Sequence, residues 1–411
     1  MRPAASGESN APSRHRRSFR TVSVLLALVI CPVLVESLLR WHARRVEAAE
    51  VLEGGLVDYD PDLGWKLVPY ANGAHRCSDY SVHYSINGLG FRADTRFPDP
   101  TDKRDLVVFI GDSFTFGFGV NDTETFPHLL AQSGPTGTVF ANCSVPGYST
   151  DQELLLLEKK VLGLHPHEVL LVVYLGNDLF DNQLDVALQV RAPKPYFDLG
   201  PPGLVLQNTP VPLEHPARTK PLATLASAVW GPDPAKWGLR ARLEVRFALF
   251  RLFSETCLPN RDYREQFAAR FAPAVRLFDA ILDRIADDCS RNRVKLRLVL
   301  LAGKSFVEKP TSPSAQYQDF FRTQVIAACA KKGLGVVDVA RQMQDRYRRE
   351  AIAWFFPHDG HLTPGGHRVV AELLAPQFTA RRALAARRRR NTRPEIVALP
   401  DKPRNNSFVS E

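Results

Sequence analysis

Five short apolar runs, Leu106–Ile110, Val139–Ser144, Val169–Leu175, Leu296–Leu301 and Val336–Val339, lack the alternation of a strand with one wet face. Such runs fit strands buried on both faces of a parallel sheet. The stretches between them carry a helical pattern. Asp151 to Leu162 opens on a capping Asp and places Leu154, Leu155, Leu157, Val161 and Leu162 on one side. Helices are also expected over Tyr263–Ile285, Gln316–Lys331 and Gly365–Leu374. Strands alternating with helices predict a doubly wound α/β sandwich. Phe180 to about Pro259 interrupts the rhythm with Pro193, Pro195, Pro201, Pro202, Pro210, Pro212, Trp230 and Trp237, and reads as an insertion of loops and short helices. Near the carboxyl edge of a sheet, an insertion either shapes a cleft or caps the core.

The formal net charge of +9 resembles a nucleic-acid signal until it is located. Residues 1–20 contribute +4 and residues 381–411 contribute +6, so the body between them sums to −1. That distribution gives no charge case for DNA or RNA, and no nucleic-acid partner is expected. Between the basic N-terminus and the body, Phe19 to Leu39 is almost uncharged and about 20 residues long, enough to span a bilayer. A cleaved signal peptide is the rival reading, but no small-x-small site follows the apolar run directly. The expectation is therefore a single uncleaved N-terminal anchor, a cytoplasmic N-terminus and a body outside the cytoplasm, in a bacterial periplasm. Residues 381–411, clustered in like charge, are expected to be disordered. Cysteines follow no CxxC spacing, and Cys143 and Cys329 sit within apolar patterns as buried thiols.

The chemistry is concentrated where apolar runs end. Gly111-Asp112-Ser113 follows the first run and leads into a short helix, placing a hydroxyl at the carboxyl edge of the sheet beside free helical N–H groups. Asn142-Cys143-Ser144-Val145-Pro146-Gly147 follows the second run and Gly176-Asn177-Asp178 the third. Asp359-Gly360-His361-Leu362-Thr363-Pro364 precedes the last helix. A serine hydroxyl needs an adjacent base to become a nucleophile, and histidine suits that role near neutral pH. A carboxylate beside the ring orients it and stabilises the imidazolium. The Ser113 N–H, the Gly147 N–H and the Asn177 amide are candidate donors to a tetrahedral oxyanion. Asp112 and Asp178 are expected to tie the strand-end loops through side-chain to backbone bonds. His367 is expected to pack or face solvent. The glycines of Gly111–Gly119 make no dinucleotide or phosphate loop, and His358, Asp359 and His361 lack a further ligand, so neither cofactor nor metal is expected.

In these blocks the chain resembles the SGNH, or GDSL-type, hydrolases, with Ser113, Gly147, Asn177 and His361 matching the four signature positions in order. It is most similar to a bacterial subgroup with one N-terminal membrane anchor, through Asp60-Pro61-Asp62-Leu63-Gly64-Trp65 and Asn87-Gly88-Leu89-Gly90-Phe91-Arg92. The architecture then expected is a three-layer α/β/α sandwich with a mainly parallel, flavodoxin-like sheet of about five strands, plus an N-terminal transmembrane helix. Its parts are a basic cytoplasmic segment 1–18, an anchor 19–40, a membrane-proximal lead-in 41–104, a hydrolase domain 105–380 with an insertion at about 180–260, and the basic tail 381–411.

The resemblance implies a serine esterase cleaving an acetyl or short acyl ester on a carbohydrate or lipid. The same residues would serve an O-acyltransferase acting on an envelope polysaccharide, and a silent scaffold or binding protein is the third reading. One departure stands out. The family places its Asp three residues before the His, where this chain has His358, whereas Asp359 stands two before His361. Either Asp359 orients the ring from the altered spacing, or a backbone carbonyl does.

Overall fold

A computed structural model of the chain describes residues 55–92, 105–134, 137–213 apart from 188, 191 and 202, 239–247 and 262–378, with 51–52, 250, 254 and all but 25, 27 and 29 of 23–41. The expected basic N-terminus 1–18 and tail 381–411 lie outside the described residues.

The lead-in forms two antiparallel pairs, β1 (Val57–Asp60) with β2 (Gly64–Leu67), and β3 (Asn72–Arg76) with β4 (Ser81–Ser85). The main sheet follows, with β5 (Asp105–Ile110), β6 (Thr138–Asn142), β7 (Glu168–Tyr174), β10 (Lys295–Leu301) and β11 (Gly335–Val337); β8 (Tyr196–Gly200) and β9 (Gly203–Gln207) form a hairpin inside the insertion. In space the main strands run β6-β5-β7-β10-β11, all parallel. That is the order of a flavodoxin-like sheet, whose direction of winding reverses between β5 and β7. Ligands bind at such a reversal, outside the carboxyl ends of the strands.

The helices follow from this order. Right-handed crossovers place connections that wind in opposite directions on opposite faces. The helices α2 (Phe126–Ser133), α8 (Val339–Glu350) and α9 (Pro364–Leu374) pack together as one set, and α3 (Thr150–Leu156), α5 (Arg264–Arg291) and α7 (Pro313–Lys332) as the other. Shorter helices sit at the carboxyl edge: α1 (Ser113–Phe116), α4 (Asp178–Asp181) and α6 (Lys304–Glu308). Val107, Val108, Phe109, Val172, Val173 and Leu298 have no exposed surface, which explains why the strand sequences do not alternate.

Two local expectations need correction. The third helix starts at Thr150 with Ser149 as its cap, and Asp151 is drawn inside, where its carboxylate pairs with buried Lys194. The insertion is not only loops and short helices, because Tyr196–Gly200 and Gly203–Gln207 pair across a turn in which Gly203 takes φ 101°. Phe197 anchors this hairpin in the core, with the Arg284 guanidinium of α5 over its ring at 5.5 Å. Two stretches rich in aromatic and branched residues, Tyr196–Leu199 and Leu204–Leu206, on either side of Pro201-Pro202-Gly203 are the sequence signature of that hairpin. Among the described residues, no helix is long and apolar enough to cross a membrane. The described part of 23–41 is helical and keeps Val24, Leu26, Leu28, Val33, Leu34 and Leu38 exposed.

Candidate active site

Gly111 makes the sharp exit from β5, since a Cβ there would stand 2.4 Å from Thr115 Oγ1. Asp112 caps the helix that follows by accepting the Phe114 N–H at 2.9 Å, and Ser113 becomes the first residue of α1. The turn is tied to both flanking strands. Asn142, the last residue of β6, donates its side-chain amide to the Thr115 carbonyl at 2.9 Å. Phe114 stacks on Tyr174, the last residue of β7, with ring centroids 4.1 Å apart.

Ser113 and His361 are 248 residues apart in the chain and meet at 2.8 Å, Oγ to Nε2. The other ring nitrogen of His361, Nδ1, lies 2.5 Å from Oδ1 of Asp359. The imidazole is flanked by Phe114 and Phe118, at 4.7 and 5.0 Å between centroids. Burial acts to raise the Asp359 pKa. The hydrogen bond and charge of His361, the His361 N–H and the Tyr80 hydroxyl outweigh it and hold the carboxyl below its ordinary value. An ionised carboxylate only accepts, so Nδ1 carries the proton and Nε2 is left to accept from Ser113.

Gly147 and Asn177 stand at the same edge, in the loops after β6 and β7. Gly147 has φ 81°, and a Cβ there would come within 2.8 Å of Val190 and 3.3 Å of Trp65. Its loop is held to the serine turn by Val145 N–H donating to the Gly111 carbonyl at 3.1 Å. From the other side, Trp65 Nε1 donates to the Pro146 carbonyl at 3.0 Å. Asn177 caps α4 and donates one amide hydrogen to Asp181 Oδ2 at 2.7 Å. Among the described residues that is the one hydrogen bond given by this amide.

Behind the serine lies a group of buried acids. Burial pushes Asp112 up to about 6, against the Phe114 N–H, and pushes Asp181 up to about 7, against Asn177 and Lys194. Burial, together with the negative charge of its neighbours, drives Glu153 and Asp178 well above the carboxylate range. Asp178 also accepts the Tyr174 N–H at 2.8 Å. His367 is fully enclosed, stacks on Phe126 at 5.7 Å and accepts the Phe126 N–H, and burial pushes its pKa down to about 3. His358 is turned away to Asp79, Nδ1 to Oδ1 at 2.7 Å.

Sequence reasoning passed over Asp79, Tyr80, Asp181 and Lys194. Asp181 carried the one available signal, four residues after Asn177 and so one helical turn away. Asp79 and Tyr80 carried none, since their partner lies some 280 residues further on.

Comparison with known proteins adds the family. The lipase/acylhydrolase from Enterococcus faecalis is 15% identical over 67% of this chain and 96% of its own, with a TM-score of 0.37. The acetylxylan esterase Axe2 from Geobacillus stearothermophilus is 12% identical over 67% of this chain and 94% of its own, also at 0.37. No curated protein matches the chain. Residues 109–369, which include every signature position from Ser113 to His361, match the GDSL-like lipase/acylhydrolase family. The chain therefore belongs to the GDSL-like lipase/acylhydrolase family and is a hydrolase of ester bonds.

Proposed function

We propose that the chain is a serine esterase that removes an acetyl or short acyl group from a carbohydrate or lipid through an acyl-Ser113 intermediate. The observation that carries this reading is the unbroken chain of contacts from Ser113 Oγ through His361 to Asp359. Ser113 attacks the ester carbonyl while Nε2 of His361 takes its proton. The tetrahedral oxyanion is received by the Ser113 and Gly147 N–H groups and the Asn177 amide. His361 then delivers the proton to the departing alkoxide, the carbonyl re-forms, and the acyl group remains on Ser113. Water, deprotonated by His361, attacks the acyl-serine; carboxylate leaves and Ser113 regains its proton. Asp359 keeps the ring in the required tautomer throughout.

The location proposed is a bacterial inner membrane, with one helix at 19–40 as the anchor and the hydrolase domain 105–380 in the periplasm. Exposed apolar side chains along the described part of 23–41 support it, because such a stripe is costly in water and at home in lipid. The Arg14, Arg16, Arg17 and Arg20 cluster before it supports a cytoplasmic N-terminus.

The test is turnover of p-nitrophenyl acetate by the full chain beside Ser113→Ala, with fluorophosphonate labelling of both. Turnover and labelling that vanish in Ser113→Ala are the expected result, and equal turnover by the two proteins refutes the reading. Adding a carbohydrate acceptor, and looking for acylated product, separates hydrolysis from transfer by the same residues.

A further inference from the structure

Residues 357–361 belong to no helix or strand, yet they carry both partners of Ser113. Their position is set by the lead-in. Asp79 Oδ2 accepts the backbone N–H groups of His358 and Asp359, at 2.8 and 2.9 Å. Its other oxygen meets His358 Nδ1, so the carboxylate is fully committed to this loop. The next residue, Tyr80, donates its hydroxyl to Asp359 Oδ2 at 3.0 Å. Asp359 Oδ1 is occupied separately by the His361 N–H at 3.0 Å and by Nδ1. The Tyr80 ring is buried against Phe356 and His75, with centroids at 5.0 and 4.9 Å, so its hydroxyl has a fixed direction. On the other side of the loop, Lys304 Nζ donates to the carbonyls of Phe356 and Pro357 at 3.3 and 3.2 Å.

We propose that Asp79 and Tyr80 are positioning residues for the esterase reaction, so that the working unit of this chain begins in the turn between β3 and β4. The proposal rests on Ser113, His361 and Asp359 acting as described above. The two-residue spacing of Asp359 and His361 makes an outside anchor necessary. With Gly360 at φ 84°, the carboxylate folds back onto the N–H and the ring of the segment it must orient. A carboxylate bonded only within its own turn moves with that turn and fixes nothing relative to Ser113. Asp79 grips the backbone of the turn, and Tyr80 grips the free carboxylate oxygen. Both lie outside residues 109–369, so they are additions of the lead-in to the family core.

The electrostatics agree with the geometry. Burial and the charge of Asp359 push the Tyr80 phenol far above its ordinary value, which keeps it a donor at every working pH. Its hydrogen bond in turn helps hold the Asp359 carboxyl low, alongside the larger contributions of His361.

The experiment compares the full-length protein with Tyr80→Phe, which keeps the buried ring and removes only the donor, and with Asp79→Asn. The two readouts are kcat and KM for p-nitrophenyl acetate, and the carboxyl titration of Asp359 followed by carbon-13 NMR. Loss of one hydrogen bond to a charged group corresponds to a fall of about tenfold in kcat, with KM within about twofold. The Asp359 titration is expected to move to higher pH in Tyr80→Phe. In an Asp359→Ala background, Tyr80→Phe should cost nothing further, since the acceptor of the contact it removes is already gone. An unmoved Asp359 titration together with unchanged kcat in folded Tyr80→Phe overturns the proposal, and so does full additivity with Asp359→Ala. The titration needs no turnover, so it still decides the positioning contact if Ser113 proves not to be a nucleophile.

Discussion

The side-chain amide of Asn177 donates to Asp181 Oδ2 at 2.7 Å, so a proposed oxyanion donor is oriented by an acid that burial brings to titrate at about 7. Asp112, directly before the proposed nucleophile, is pushed up by burial to about 6. Glu153 and Asp178 are driven well above the carboxylate range by burial and by the negative charge of their neighbours. The serine turn thus rests on acids whose charge state changes close to physiological pH.

Stability should respond to that layer. An acid with a raised folded pKa stabilises the fold fully below its unfolded pKa and loses that contribution as pH rises through the folded value. Asp112 and Asp181, at about 6 and about 7, therefore make Tm fall as pH rises through that window. His367, pushed down by burial to about 3, has the opposite sign. Its contribution is complete above the ordinary histidine pKa of about 6.5 and adds no slope beyond it. Asp181→Asn keeps an acceptor for Asn177 and should flatten the decline, each kcal/mol being worth about 2–4 °C in a domain of this size. Calorimetry at a series of pH values decides it, and an undiminished decline in Asp181→Asn removes Asp181 as the cause.

Asp359→Asn should reduce kcat by about 10³–10⁴-fold with the fold intact, because an amide facing Nδ1 selects the wrong tautomer of His361. Because the folded pKa of Asp359 is depressed, its contribution to stability is present above the unfolded value and lost as pH falls through the folded one. The variant should accordingly lose Tm relative to the parent at neutral pH and approach it in acid. A neutral-pH kcat within tenfold of the parent would mean that the ring is oriented by something else.

What was legible in the sequence follows a physical division. Local patterns are written along the chain, so the buried strands Leu106–Ile110 and Val169–Leu175, the helix after Thr363 and the serine turn could be read directly. Gly147, Asn177 and His361 were legible because each follows or precedes an element at one sheet edge, which parallel topology brings together. Contacts between distant segments were not. Tyr80 to Asp359 and Lys194 to Asp151 depend on how a lead-in and an insertion fold back on the sheet, and no periodicity encodes that. The displaced capping residue has the same origin. Asp151 looked like a cap because it precedes an apolar run, but a buried lysine from the insertion takes its carboxylate.

Gly147→Ala combines two penalties at the loop that carries a proposed oxyanion donor. The backbone φ of 81° is strained for any residue with a Cβ, and that Cβ would meet Val190 Cγ2 at 2.8 Å. Strain of this kind costs about 1–2 kcal/mol, and displacement of the N–H costs catalysis in addition. The expected result is a Tm lower by several degrees and a larger relative loss in kcat than in KM. Val190→Ala in the same background should recover part of the Tm by removing the clash and leave the φ strain in place. Complete recovery would show that the positive φ carries no cost there.

The insertion is joined to the core by a fully buried ion pair, Lys194 with Asp151. Asp151 also accepts from the Ser149 hydroxyl at 2.8 Å and the Gln152 N–H at 2.7 Å, while its own N–H donates to Asn182. Lys194→Met leaves that carboxylate without its counter-charge in a dry site, where such a loss costs about 3–5 kcal/mol. Asp151→Asn retains acceptors for Ser149 and Gln152 but carries no charge, so the double variant should regain more than half of the lost Tm. Strict additivity of the two substitutions would show that they do not share one site. Lys194 also lowers the pKa of Asp181, so Lys194→Met should move the Asp181 titration above about 7. Denaturant unfolding of the four proteins, with a pH series on the single lysine variant, therefore tests whether the insertion sets the electrostatics behind Asn177 or only covers the sheet edge.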